Sequence, residues 1–371
     1  MQRYSAVVLG LSVFLSNAVH AGDMEPKGNT TPERYICYRT SQPVEVDGRL
    51  DEAAWQNALW TQRFVDIEGD LKPRPRFGTR AKMLWDDTCF YVAAQMEEPD
   101  VWATLTQRDV AIFQDNDFEV FLDPDGDTHQ YYEFEMNALN TQWDLFLVKA
   151  YRDGGPAMSA WDIAGLKSAV DIQGTLNRPG DADEGWSLEI AFPWRVLREC
   201  AHRPTPPEDG DQWRVNFSRV EYYVDVVDGA YQKPKDLNAG RDLPCDNWVW
   251  SPQGLINMHY PEMWGYVQFS VAESGKGSAA FVPQPAEEAK ALLRKVYYRE
   301  RMYRKEHGRF TDDFGLLGLG ELSSGRYTWP PALQVTDSLF EAWIEEKEDM
   351  DGDGRLDRWH IQQDSKVWKA P

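Results

Sequence analysis

The chain has no G-x-S-x-G, no H-E-x-x-H, no C-x-x-C and no phosphate-cradling glycine loop. The motif-borne routes to nucleophilic, zinc-dependent, dithiol and nucleotide chemistry are therefore missing. Positive charge is also scarce. Against 61 acidic residues there are 39 basic ones, a net charge of −22 over 371 residues. Such a surface repels phosphate backbones and anionic lipid, which excludes nucleic acid as a natural partner and leaves uncharged ligands or cations. Past the first 21 residues no stretch is apolar enough to cross a bilayer, so the chain is not expected to span a membrane. Cysteine is sparse, and Cys37, Cys89, Cys200 and Cys245 lack the close pairing of a zinc site. In an oxidising compartment they could form disulfides, with three full pairings open.

What is abundant is tryptophan, sixteen in all. They serve either a large aromatic core or a surface that stacks on flat ligands. The first residues place Arg3 before the apolar run from Ala6 to Leu15 and end in small residues at Val19 and Ala21, the pattern of a secretory signal cleaved after Ala21. Gly22 and not cysteine stands directly after that point, so lipid attachment is not indicated. The expectation is an exported protein, periplasmic or extracellular. Residues 22–34 read as a flexible polar leader.

From Tyr35 to about Val271 the chain runs as short alternating segments broken by turn residues, the pattern of a mainly β protein with an antiparallel β-sandwich. Residues 272–285 read as a linker. In the segment 286–371, Ala289, Leu292, Leu293 and Val296 fall at helical spacing, with Glu287 and Glu288 in the first turn, Arg304 and Lys305 in the last, and Gly308 as the stop. The fold class is then a sandwich with a C-terminal α-helical extension. The basic stripe of that helix offers a docking surface for a protein partner, or a solvated face.

The densest chemistry lies in "DNDFEVFLDPDGDTHQYYEFEMNALN", Asp115 to Asn140. Alternation puts Phe118, Val120 and Leu122 on one face of a strand, and Tyr132, Phe134 and Met136 on the same face of its return. The opposite, solvent face then carries Glu119, Glu133, Glu135 and Asn137 beside aromatic rings. Carboxylates and amides suit hydroxyls and rings suit the apolar face of a pyranose, so the mixture fits a sugar. Glu119 and Glu135 could also form an acid/base pair of a glycan hydrolase, or be paired with Arg219. Asp123, Asp125 and Asp127 have acidic spacing that suits calcium but lack the later positions of a calcium loop. The stronger spacing is "DMDGDGRLDRWH", with Asp349, Asp351, Asp353 and Asp357 as candidate calcium ligands, Gly354 at the turn, and His360 where the bidentate Glu would stand.

Several segments in order resemble family 9 carbohydrate-binding modules, noncatalytic β-sandwich modules often attached to xylanases: "VEVDGRLDEAAWQNA", "MLWDDTCFYVAAQMEEPD", "DNDFEVFLDPDGD", "GWSLEIAFPW", "WRVNFSRVE" and "WGYVQFS", spanning Val44 to Ser270. The resemblance implies a sugar site on the concave sheet, with two clamping tryptophans and Glu, Arg and Asn at the hydroxyls. Glu119 and Asn137 match that pattern. Phe113 and Met258, next to His259, stand where the clamps would, and Glu135 stands where the arginine would. Substitute platforms are Trp143, Trp161, Trp248 and Trp250, of which loop position favours Trp161 and Trp248. The expected activity is reversible binding of a saccharide or polysaccharide with no required cofactor, the alternatives being a hydrolase or an envelope scaffold whose sandwich no longer binds sugar.

Overall fold

The computed structural model describes residues 24–28 and 30–370; the signal segment expected at 1–21 lies outside them. Thirteen strands form one mixed sheet. Its pairing is antiparallel except at the strand Arg34–Arg39, which lies parallel to both Gly265–Glu273 and Thr79–Trp85. That strand joins two antiparallel halves. One half contains Gln142–Lys149, His129–Asn137, Asp117–Asp123 and Gln212–Glu221 in order, and the other Thr79–Trp85, Cys89–Glu97, Gly185–Pro193 and Lys167–Gln173.

The halves fold over one another, because apolar residues remote in the sheet order meet in the middle. Phe134 packs edge-on against Phe192 with centroids 5.8 Å apart, and Tyr132 Oη donates to the Leu197 carbonyl at 3.2 Å. Phe118, Val120, Leu122, Phe217 and Val267 fill the same core. Burying each such side chain is worth about 1.5–3 kcal/mol. The expected sandwich is thus present, built as a continuous, mostly antiparallel sheet closed over a single apolar interior.

The segment "VDGRLDEAAW" acts as a brace between distant strands. Glu189, fully buried on Gly185–Pro193, accepts the Asp47 and Gly48 amides, each at 2.8 Å, and the Trp55 indole N–H at 2.5 Å. Gly48 has φ +91°, and a Cβ there would sit 2.4 Å from the Val170 carbonyl carbon. Gly48→Ala is expected to lower the unfolding free energy by about 1–3 kcal/mol in urea titration, from left-handed strain and the clash together.

The C-terminal segment begins with the expected helix, Ala286–His307, closed by Gly308 at φ 76°. Beyond that point the described chain has one short 3-10 turn, Phe314–Leu317, and is otherwise strand and loop. Ala332–Val335, Phe340–Glu345, Arg358–Gln362 and Val367–Ala370 form a four-stranded antiparallel meander. In "FEAWIE", Phe340, Ala342 and Ile344 share a face and pack with Leu293, Val296 and Tyr297 of the helix. A single amphipathic helix cannot bury its stripe alone, and this sheet covers it.

Described residues of both segments expected to be flexible make contacts with the body of the protein. In the leader, the Lys27 amide donates to the Gly254 carbonyl at 3.0 Å and Glu25 pairs with Arg299 at 3.2 Å. In the linker, the Ala279 amide reaches Tyr38 Oη at 3.0 Å and Gln268 binds the backbone of Ala280 and Val282. The helix's basic residues are likewise used within the chain. Arg294 is buried on Thr128 and Ser365, Arg301 reaches Asp153 and the Arg152 carbonyl, and Lys290 donates to the Asp125 carbonyl. Arg294, Arg301 and Lys290 thus clamp the helix within the chain, while Lys305 is exposed. No described helix is long and apolar enough to cross a membrane. All four cysteines carry free thiols, so none of the pairings left open by the sequence is made.

Candidate functional site

Strand register builds the site. Glu119 stands opposite Glu135 across the hairpin, Ser218 stands opposite Glu119 on the next strand, and Trp143 stands opposite Glu135 on the other side. One row therefore reads Ser218, Glu119, Glu135, Trp143. The flanking rows add Asp117 beside Asn137, and Phe121 beside Glu133. Alternation sends all of these away from the Phe118–Phe134 core, as expected from the sequence.

The face is not open to solvent. A second apolar layer of Ile67, Ile112, Trp143, Val249, Met258 and Trp264 covers it, with Phe113 at its edge. Glu119 and Glu133 keep 5% of their surface exposed, Glu135 1% and Asp117 none. Ile67, Val249, Met258 and Trp264 come from segments far away in sequence, which is why a solvated face was expected.

Burial penalises charged carboxylates and, with other carboxylates nearby, raises their pKa values. Glu119 is pushed up to about 7 by burial. Asp117, Glu133 and Glu135 are pushed well above the carboxylate range by burial first and then by each other and Glu119. Among the described residues no Lys or Arg forms an ion pair with these four. Arg219, considered as a partner, points the other way, because it alternates with Ser218. It is 1% exposed and pairs with Glu98 and Glu221, each at 2.8 Å.

Polar atoms on this face lack partners: Asp117 Oδ2, Glu133 Oε2 and the Trp143 indole nitrogen. Glu135 Oε2 accepts the Phe113 amide at 3.0 Å. Phe113 itself is half-buried, its ring 6.3 Å from that of Trp143. At the other rim His259 Nδ1 bonds Tyr131 Oη at 2.9 Å, and its ring meets Tyr151 edge-on at 4.5 Å. Burial, with Arg152 nearby, lowers the His259 pKa to about 3, so the ring is neutral at ordinary pH. Met258 lies in the covering layer, its carbonyl held by the Trp264 indole at 2.9 Å.

The structure therefore gathers Phe113, Glu119, Glu135, Met258 and His259. Asn137 lies at the end of the row with its amide fully engaged. It donates to the Leu105 carbonyl (2.9 Å) and Asp115 (3.0 Å) and accepts the Leu139 and Thr141 amides (both 3.0 Å), which closes the turn. Trp248 and Trp161 lie elsewhere. Trp248 is 2% exposed in the main core beneath Arg219, and Trp161 stacks on Tyr132 at 5.1 Å. Alternation around Val249 does separate the two neighbours, but Val249 is the one that faces the carboxylates. Asp117 and Glu133 were not singled out as ligands, although the same alternation that marks Glu119 and Glu135 marks them.

Glu119 and Glu135 are side by side on one face, with an oxygen of each, together with one of Asp117, within 4.8 Å of one another.

Of the acidic loops, Asp123 is spent on the Gly126 and Thr128 amides, both at 3.0 Å, and Asp125 and Asp127 cap neighbouring amides. Asp349, Asp351 and Asp353 form an exposed group, with Asp349 accepting the Gly352 and Gly354 amides. Asp357 is outside the group and pairs with Lys369 at 2.5 Å. His360 is in the small sheet, between Trp343 and Trp368 and bonded to Glu341.

Residues 46–204 match the model described as the carbohydrate family 9 binding domain-like family. A family 9 module from Caldicellulosiruptor kristjanssonii in complex with cellotriose is 15% identical, with 67% of this chain and all of that chain covered at a TM-score of 0.40. The same organism's family 9 module in complex with glucose is 16% identical, with 68% of this chain and all of that one covered at 0.42. A putative carbohydrate-binding protein from Bacteroides uniformis is 17% identical, with 65% and 100% covered at 0.46. No curated protein matches.

Proposed function

We propose that this family 9-like carbohydrate-binding domain acts outside the cytoplasm as a noncatalytic receptor for a small saccharide or the end of a longer one, taken at the rim of the carboxyl row, where Phe113, Tyr151 and His259 keep surface open. The observation that carries the reading is the set of buried, unpartnered polar atoms on that face, two carboxyl oxygens and an indole N–H, beside aromatic rings. Leaving such groups unpaired costs about 1–3 kcal/mol each, and sugar hydroxyls, which both donate and accept, would recover that. Phe113 and Trp143 offer the ring surface that a clamp of two tryptophans would otherwise give. The reading also keeps calcium at Asp349, Asp351 and Asp353, whose oxygens converge within 4.8 Å.

Intrinsic tryptophan fluorescence should change saturably on titration with at least one member of a panel of gluco- and xylo-oligosaccharides and acidic glycans. Glu119→Gln and Trp143→Phe should each weaken that binding about tenfold or more, or about 1.4 kcal/mol. Silence across the panel, with and without calcium, would sink the reading.

A further inference from the structure

We infer that Asp117, Glu119 and Glu135 together hold one hard divalent cation of calcium size on the floor of the carboxyl row. The inference rests on the saccharide reading only for what the ion does to a ligand; the ion site stands on its own geometry. Each residue brings one carboxyl oxygen to within 4.8 Å of the other two. Oxygens that bind calcium at about 2.3–2.6 Å lie at most about 5 Å apart. Every donor is a carboxylate, which selects a hard cation over zinc or copper.

The three are buried, and among the described residues no Lys or Arg forms an ion pair with any of them. Burying several carboxylates without a cation opposes folding. A fourth carboxyl gives an independent pointer. Glu133, outside the trio and 5% exposed, precedes Glu135 by two residues on the same strand and so shares its face, and its Oε2 has no partner. Asp117 Oδ2 is unpartnered as well. The acidic loops differ on this point, because Asp123 and Asp349 are satisfied by their own backbone amides. The trio is also fixed in advance, sitting on two paired strands of a buried sheet. Calcium takes 6–8 ligands, so positions beyond these carboxylates remain for the hydroxyls of a sugar.

The test uses the protein after dialysis against EDTA. Calcium is titrated by calorimetry, and terbium is followed by luminescence excited through tryptophan, since Trp143 stands opposite Glu135. Wild type should show an ion site that Glu119→Gln/Glu135→Gln weakens at least a hundredfold and that Asp349→Asn/Asp351→Asn and Asp125→Asn/Asp127→Asn leave in place. Amides match the carboxyls in size and need no counter-charge, so the double variant should fold with an ion-free Tm at or above that of wild type. Asp117→Asn gives a second, single-site check should the double variant not fold. Equal affinity and stoichiometry in wild type and in the carboxyl-row variants would overturn the inference. The sugar panel separates the two readings. Sugar binding without any ion binding at the row overturns the ion and leaves the receptor, whereas ion binding with no sugar response leaves the ion and overturns the receptor.

Discussion

Arg219→Met is expected to lower the unfolding free energy by about 3–5 kcal/mol, the range for removing one partner of a buried ion pair. Arg219 and both of its acidic partners, Glu98 and Glu221, are at most 3% exposed. Its guanidinium also donates to Thr79 at 3.0 Å and lies over the Trp248 ring at 5.2 Å. Methionine fills much of the volume but leaves two buried carboxylates facing each other, with Asn116 as a shared donor. The loss should shrink in Arg219→Met/Glu221→Gln, which removes one stranded charge. A single variant within about 1 kcal/mol of wild type in urea unfolding would show that the pair adds little.

Stability of the ion-free protein should fall as pH rises from about 5 to 7.5. Glu119 has a folded pKa raised to about 7 against an ordinary 4.5. Between those values the folded state binds more protons than the unfolded one, so its stabilising contribution is full below the lower value and is lost as pH passes the upper. For Glu119 alone this difference is worth up to about 3 kcal/mol. Glu287 works in the opposite direction. Although burial alone would raise its pKa, Lys290 and Arg214 hold it down to about 2, so its contribution is present above 4.5 and lost in acid. The two trends place the stability maximum near pH 5. Urea midpoints across pH should show a clearly shallower decline for Glu119→Gln than for wild type between pH 5 and 7.5. Parallel profiles would rule Glu119 out as their source.

Much of the hairpin could be read directly, because a period of two in "DFEVFLD" and "YYEFEMN" assigns every side chain to a face. The sandwich follows from the same alternation repeated along Tyr35 to Val271. Alternation cannot say what later covers a face. Met258 and Trp264 lie more than a hundred residues from Glu119, so the burial that raises the Glu119 pKa has no local signal. Trp248 shows the limit most clearly: loop position favoured it as a platform, but a period of two leaves the inward direction open, and it is Val249 that faces the carboxylates. Asn137 matches the family position and yet is occupied with its own turn, a role that only its four backbone and side-chain partners reveal. The small C-terminal sheet was missed because its strands are four to six residues long and an aspartate-rich loop interrupts them.

Arg152 links the parts of the molecule that the sequence separates. It donates to the His259 carbonyl at the rim (3.2 Å) and bridges Glu262 (2.8 Å), while its own carbonyl receives Arg301 of the long helix at 2.9 Å. Asp153 beside it is held by Tyr297 of the helix and by Ser365 of the small sheet. A chain cut after Val271 would keep Arg152 paired with Glu262 and Asp153 but would take Tyr297, Arg301 and Ser365 away from Asp153. The rim of the carboxyl row is thus tied, through Arg152 and Asp153, to the long helix and the small sheet that follow it in the chain.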